Sequence, residues 1–106
     1  LTNTLNIDQA LACGLIINEL ISNAIKHAFT NCQGCSIIIG LHHRNHLIEM
    51  TIQDNGIGLP NDFDCSNTTS LGLSLVHDLV TEQLEGSITV QNHHGTFFKI
   101  TFPYLT

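Results

Sequence analysis

The chain has 106 residues, of which 42% are hydrophobic and only 11% charged, and its formal net charge is −6. That is enough for one domain with one core and too little for two. Its three fixed cations, Lys26, Arg44 and Lys99, make no basic patch, which excludes phosphate-neutralising nucleic-acid binding, and no apolar run is long enough to span a bilayer.

Residues 1–7 mix polar and apolar types. Asp8 suits an N-cap, and the periodicity predicts a long helix from about residue 9 to residue 29. Ile17, Leu20, Ile21, Ala24, Ile25 and Ala28 form its core stripe. The other side gathers Glu19, Asn23, Lys26 and His27: a carboxylate, an amide, an ammonium and an imidazole on one strip. Residues 31–34 read as a loop. Residues 36–41 and 46–53 read as a hairpin turning through 42–45. Residues 54–64, punctuated by Gly, Asn, Asp and Pro, are irregular, and 65–70 continue them as a polar loop. So long an irregular segment in so small a domain is usually functional. Residues 71–84 form a second helix, with Leu71, Leu75, Val76, Leu79 and Val80 turned inward and Gly86 ending it. Residues 87–91 and 96–102 are strands about a tight turn at 92–95, stopped by Pro103. Helix, two strands, loop, helix, two strands predicts an α+β fold: a largely antiparallel sheet with helices packed on one face.

The four cysteines are Cys13, Cys32, Cys35 and Cys65. Cys13 sits in an apolar helical stretch and reads as core. Cys32 and Cys35 form a lone C-x-x-C, which lacks the second ligand pair of a structural zinc site; His42 and His43 are the nearest candidates. An incidental loop pair fits better.

Three segments carry candidate chemistry. On the first helix, Glu19 and Asn23 are one turn apart and offer two oxygen donors. That is a weak cage, suited to Mg²⁺ that arrives with phosphates and keeps its waters. Lys26 offers a point charge to a phosphate and His27 a second donor. The alternative is a plain solvated face. In "DNGIGLP", Asp54 to Pro60, the turn chemistry is plain. Counted as a Ca²⁺ loop it places Gly56, Gly58 and Cys65 where carboxylates belong, and no Walker A pattern follows. Two glycines after a strand let backbone approach a flat ligand, while the Asp accepts from one donor such as an exocyclic amine. In "SLGLSLV", Ser70 to Val76, a glycine at a helix start exposes backbone N–H groups to an anion.

The order and spacing of N-E-L-x-x-N-A-x-K-H-A-F, D-N-G-I-G-L-P, S-L-G-L-x-L-V and G-T-x-F-x-I-x-F-P closely resemble the ATP-binding catalytic domain of two-component sensor histidine kinases. The likeness covers about residues 8–103. It is greatest to the subgroup whose first box carries Glu and ends Lys-His-Ala-Phe. The resemblance implies the GHKL superfamily and its Bergerat fold, an α/β sandwich with a mixed, mostly antiparallel sheet. It implies ATP and Mg²⁺ as cofactors, with Asn23 and Glu19 on the metal and Glu19, Asn23 and Lys26 as the catalytic set. Lys26 and His27 would contact phosphates, and Asp54 would accept from the adenine N6 amine. Gly56, Ile57, Gly58 and Leu59 would shape the base pocket. Residues 59–70 would form the ATP lid, ended by the G2 box with Leu71, Gly72 and Leu73 and with the Gly72 amides near the phosphates, and Thr96 would support Asp54 through water.

By the same resemblance, the γ-phosphate goes to a histidine on a dimerisation and phosphoacceptor domain of the same kinase, and from there to a response regulator. None of the seven histidines here is assigned as acceptor. The family's leading strand is represented at most by residues 1–5, no separate Phe-box is evident, and the G2 box has one glycine. Residues 1–106 are therefore expected to be the catalytic domain of a larger sensor kinase, without full activity alone. The expected location is the cytoplasm, as a soluble kinase or the inner part of a membrane-bound sensor, without membrane contact by this domain. Two other readings share the fold: a serine kinase of the anti-sigma type, and a degenerate domain that binds partners without nucleotide.

Overall fold

The computed structural model describes residues 7–25, 34–56, 73–92 and 95–104. One four-stranded sheet, with β1 (Ile37–Arg44), β2 (Leu47–Asp54), β3 (Ser87–Asn92) and β4 (Thr96–Pro103), runs in the order β1-β2-β4-β3. All ladders among the described residues are antiparallel. The two hairpins join through the central pair β2 and β4, whose register opposes Ile48 to Phe102, Met50 to Ile100 and Ile52 to Phe98. All six side chains are buried, and the alternation puts them on one face. On the other face Glu49, Thr51, Gln53, Lys99 and Thr101 meet solvent to varying degrees, and Lys99 Nζ lies 3.2 Å from Glu49 Oε1.

The helices cover the apolar face. Helix α1 (Ile7–Asn23) buries Ala12, Cys13, Ile16 and Leu20. Helix α2 (Leu73–Asp78) buries Leu73 and Val76, and a π-helical segment (Leu79–Gln83) continues it with Val80. Full burial of each large side chain contributes roughly 1.5–3 kcal/mol, which is what holds two short hairpins and these helices together. Gln9 is the polar exception among the buried residues of the helices. It is 1% exposed, and its Nε2 donates to the Pro103 carbonyl at 2.8 Å, tying the start of α1 to the end of β4.

Several boundaries differ from expectation, each for a local reason. Helix α1 begins at Ile7, so Asp8 lies in its first turn rather than capping it, where a carboxylate still suits the positive helix end. In the expected core stripe, Leu20 and Ala24 are buried and Ile17 and Ile21 half-buried, but Ile25 is 63% exposed. At 3.6 residues per turn it lies about 140° around the helix from Leu20. Strand β1 continues through His42, His43 and Arg44, leaving a turn of only Asn45 and His46. Asn45 takes φ 58°, a left-handed conformation Asn tolerates better than most residues, which allows so short a loop.

The second helix also departs. Leu75 points outward, since α2 turns Leu73 and Val76 to the core, and Leu84 is fully buried, because the wider π-helical turn rotates the later residues; its signature is Leu84 N–H donating to the Leu79 carbonyl at 3.0 Å. The left-handed residue that ends it is Glu85, at φ 54°, not Gly86. Gly86 serves another need: a Cβ there would run into the Thr101 carbonyl oxygen and the Phe102 side chain. Its bareness lets the chain exit flat against β4. Cys13 is buried as expected. Cys35, half-buried just before β1, is disulfide-bonded, so its sulfur is withdrawn from any zinc reading.

Candidate functional site

Strand β2 ends on Asp54, whose side chain falls on the core side of the sheet by the same alternation that buries Ile48, Met50 and Ile52. A carboxylate with 8% exposure needs partners. It has two, both on one oxygen. The Gly56 backbone N–H donates to Asp54 Oδ1 at 2.9 Å, and the Thr96 backbone N–H donates to the same atom at 3.2 Å. Among the described residues no donor reaches Oδ2. The carboxylate is thus held by one oxygen and presents the other as an acceptor.

The second partner is supplied by topology. Register pairs Gln53 with Phe97, so the start of β4 passes the end of β2, and Thr96, 3% exposed, lands beside Asp54. The approach requires Gly95. Its φ is +131°, and a Cβ there would be driven onto the Asp54 carbonyl oxygen. Thr96 therefore reaches Asp54 directly through its main chain. Sequence reasoning passed over Gly95 and also Asn55, whose side chain accepts from Ser36 N–H at 2.9 Å and donates to the Gly34 carbonyl at 3.0 Å. The D-N-G triplet carries the signal for Asn55, which turn chemistry alone does not reveal.

On α1, Glu19 and Asn23 are both half-buried, one turn apart, beside the buried Leu20. Their oxygen atoms are the donor type a hard cation takes, so they fit a weakly held Mg²⁺. Leu73 is in the core with 1% exposure, so its side chain packs against the protein rather than facing a ligand. Lys26, His27, Ile57, Gly58, Leu59, Leu71 and Gly72, and the lid at 59–70, lie outside the described residues. Burial pushes the Cys13 thiol above its ordinary value, which keeps it protonated and unreactive.

The family model for histidine kinase-, DNA gyrase B-, and HSP90-like ATPases matches residues 8–106. The sensor histidine kinase PdtaS of Mycobacterium tuberculosis is 36% identical over 90 residues, covering 83% of this chain and 18% of PdtaS. The blue-light activated histidine kinase EL346 of Erythrobacter litoralis shares its fold with TM-score 0.84 at 27% identity, over 94% of this chain and 32% of that one. The anti-sigma F factor of Bacillus licheniformis is 30% identical over 54 residues, 51% of this chain and 37% of that protein. The chain spans less than a fifth of PdtaS. With a family match that takes in α1, both hairpins and the Asp54 site, the chain belongs to the histidine kinase-, DNA gyrase B- and HSP90-like ATPases.

Proposed function

We propose that this chain is the catalytic domain of a larger sensor histidine kinase. It binds Mg-ATP and presents the γ-phosphate to a histidine on the dimerisation and phosphoacceptor domain of the same kinase, which then serves a response regulator. The family binds ATP. The observation that carries the assignment to particular residues is the one-sided grip on Asp54. With Oδ1 occupied by two backbone N–H groups, Oδ2 is directed to accept one hydrogen bond, which matches the adenine N6 amine and mismatches a keto oxygen.

The lengths of the elements support the rest of the site. Gln9 ties the start of α1 to Pro103, at the sheet end opposite Asp54 and Thr96. A 17-residue helix is about 25 Å long, and an eight-residue strand about the same. A helix laid along the strands therefore carries Glu19 and Asn23 toward the Asp54 end. There Asn23 and Glu19 hold Mg²⁺, which supplies charge neutralisation at the phosphates. Lys26 and His27 add contacts to the same phosphates. The protein's part in the transfer is orientation and electrostatics, since phosphoryl transfer asks little covalent chemistry of its catalyst. The domain works in the cytoplasm.

Calorimetric titration with ATP or ADP, with and without Mg²⁺, tests the reading. Saturable binding strengthened by Mg²⁺ and lost in Asp54→Ala is expected, with the Mg²⁺ increment lost in Asn23→Ala. Normal phosphorylation of a supplied acceptor domain by both variants would refute the site assignment. The similarity to an anti-sigma factor over half the chain favours a serine kinase as the second reading. Acid lability of the phosphorylated product separates the two, because phosphohistidine is acid-labile and phosphoserine is not.

A further inference from the structure

The β1–β2 ladder closes with Ile37 opposite Asp54. One residue further the two chains stay side by side, but the rung is made by a side chain. Asn55 Oδ1 accepts from the Ser36 N–H at 2.9 Å, and Asn55 Nδ2 donates to the Gly34 carbonyl at 3.0 Å. Gly34 takes φ 68°, the left-handed region glycine enters without penalty. A primary amide carries a donor and an acceptor side by side, as a peptide group does. The Asn55 amide thus substitutes for a ladder rung. That frees the main chain of residues 55–56 to leave the sheet, and the Gly56 N–H turns back onto Asp54 Oδ1, two residues away.

We propose that Asn55 is a positioning residue for the nucleotide base. Its amide anchors the main chain between Asp54 and Gly56 to the lead of β1, fixes the direction of Asp54 Oδ2, and so sets the preference for a purine that donates at position 6. The inference rests on the nucleotide reading above. It predicts a residue type as well as a place. Asp at this position keeps the acceptor for Ser36 but loses the donor for Gly34. Ala loses both.

The test is the ratio of ADP to IDP affinity, by competition titration on the 106-residue chain, in the unaltered protein, Asn55→Ala and Asn55→Asp. The two ligands carry the same phosphates and differ at the base, so the effect on the phosphates of any charge placed at residue 55 cancels in the ratio. Asn55→Ala lowers the ADP preference about tenfold, the scale of one well-placed hydrogen bond, and Asn55→Asp lowers it less. Amide exchange of Gly56 and Thr96 accelerates in the variants, while exchange at Met50 and Ile52 does not. A purely structural role would speed all four amides and leave the ratio unchanged, and that result overturns the inference. If Asn55→Ala does not fold, Asn55→Asp carries the same comparison. Binding of ADP by the unaltered chain with the same preference in the variants overturns this inference alone. No ADP binding by the unaltered chain overturns the nucleotide reading and this inference with it.

Discussion

The backbone amide of Thr96 donates to Asp54 Oδ1 at 3.2 Å, although 42 residues separate them in the chain. The bond links the last hairpin to the end of the first. The carboxylate proposed to read the base is therefore held by both of its donors only when β4 is paired with β2. Folding of the sheet and formation of the base site become one event.

Asp54→Asn keeps the shape and an acceptor for both backbone donors, but places an NH₂ group where a second acceptor stood. Expected are loss of ADP binding by more than about a hundredfold and a stability change within about 1 kcal/mol. Asp54→Ala leaves the Gly56 and Thr96 N–H groups without their acceptor and costs about 1–3 kcal/mol as well as binding. Calorimetry and urea unfolding on both variants check this. Equal stability loss in the two would contradict the split.

Gly95 and Gly14 make an opposed pair. Gly95 has φ +131° and no room for a side chain against Asp54, whereas nothing lies within 4 Å of a Cβ built on Gly14. Gly95→Ala costs about 2–4 kcal/mol and removes nucleotide binding with it. Gly14→Ala, on the exposed side of α1, stabilises by about 1 kcal/mol through helix propensity. Thermal melts of the two variants should move in opposite directions.

Gln9 tests whether the far end of the sheet is independent of the site. Removing its 2.8 Å bond to Pro103 by Gln9→Ala leaves a carbonyl without that donor and costs about 1–3 kcal/mol. ADP affinity, measured where the variant is still folded, should be unchanged. A parallel loss of affinity would mean that this tie sets the position of α1 over the site.

Cys13 gives a pH dependence. Desolvation raises its thiol above the ordinary value of 9.0, so between the unfolded and native values the unfolded chain has lost a proton that the native chain keeps. The thiol's contribution is fully present below 9.0 and is lost as pH rises through the native value. Unfolding curves from pH 7 to pH 10 should fall more steeply for the unaltered chain than for Cys13→Ala. Parallel curves would show that the thiol does not titrate differently on folding.

The four strands and two helices were legible because each is a local pattern. Period-two alternation in residues 47–54 and 96–103 and the apolar periodicity of residues 9–24 need no partner to be read. Asp54 was legible for a similar reason, since its strand-end position and trailing glycines lie within five residues. Gly86, Leu75 and Ile25 depart from expectation because the end of the second helix and the burial of these side chains depend on a π-helical turn and on how far a helix is rotated against the sheet, which a composition of side chains does not encode locally.

What the sequence determined by itself is the class of the fold, the order of its elements and the identity of the acid at the end of β2. These follow from side-chain periodicity, turn chemistry and the spacing of four motifs. What only the tertiary structure decided is how that acid is used. Which oxygen of Asp54 is occupied depends on the Thr96 amide crossing from β4, on Gly95 lacking a Cβ that would block the crossing, and on the Asn55 amide replacing a ladder rung toward Ser36 and Gly34. Each is a contact between segments distant in sequence, and its geometry is set by strand register rather than by any local preference of the residues that make it.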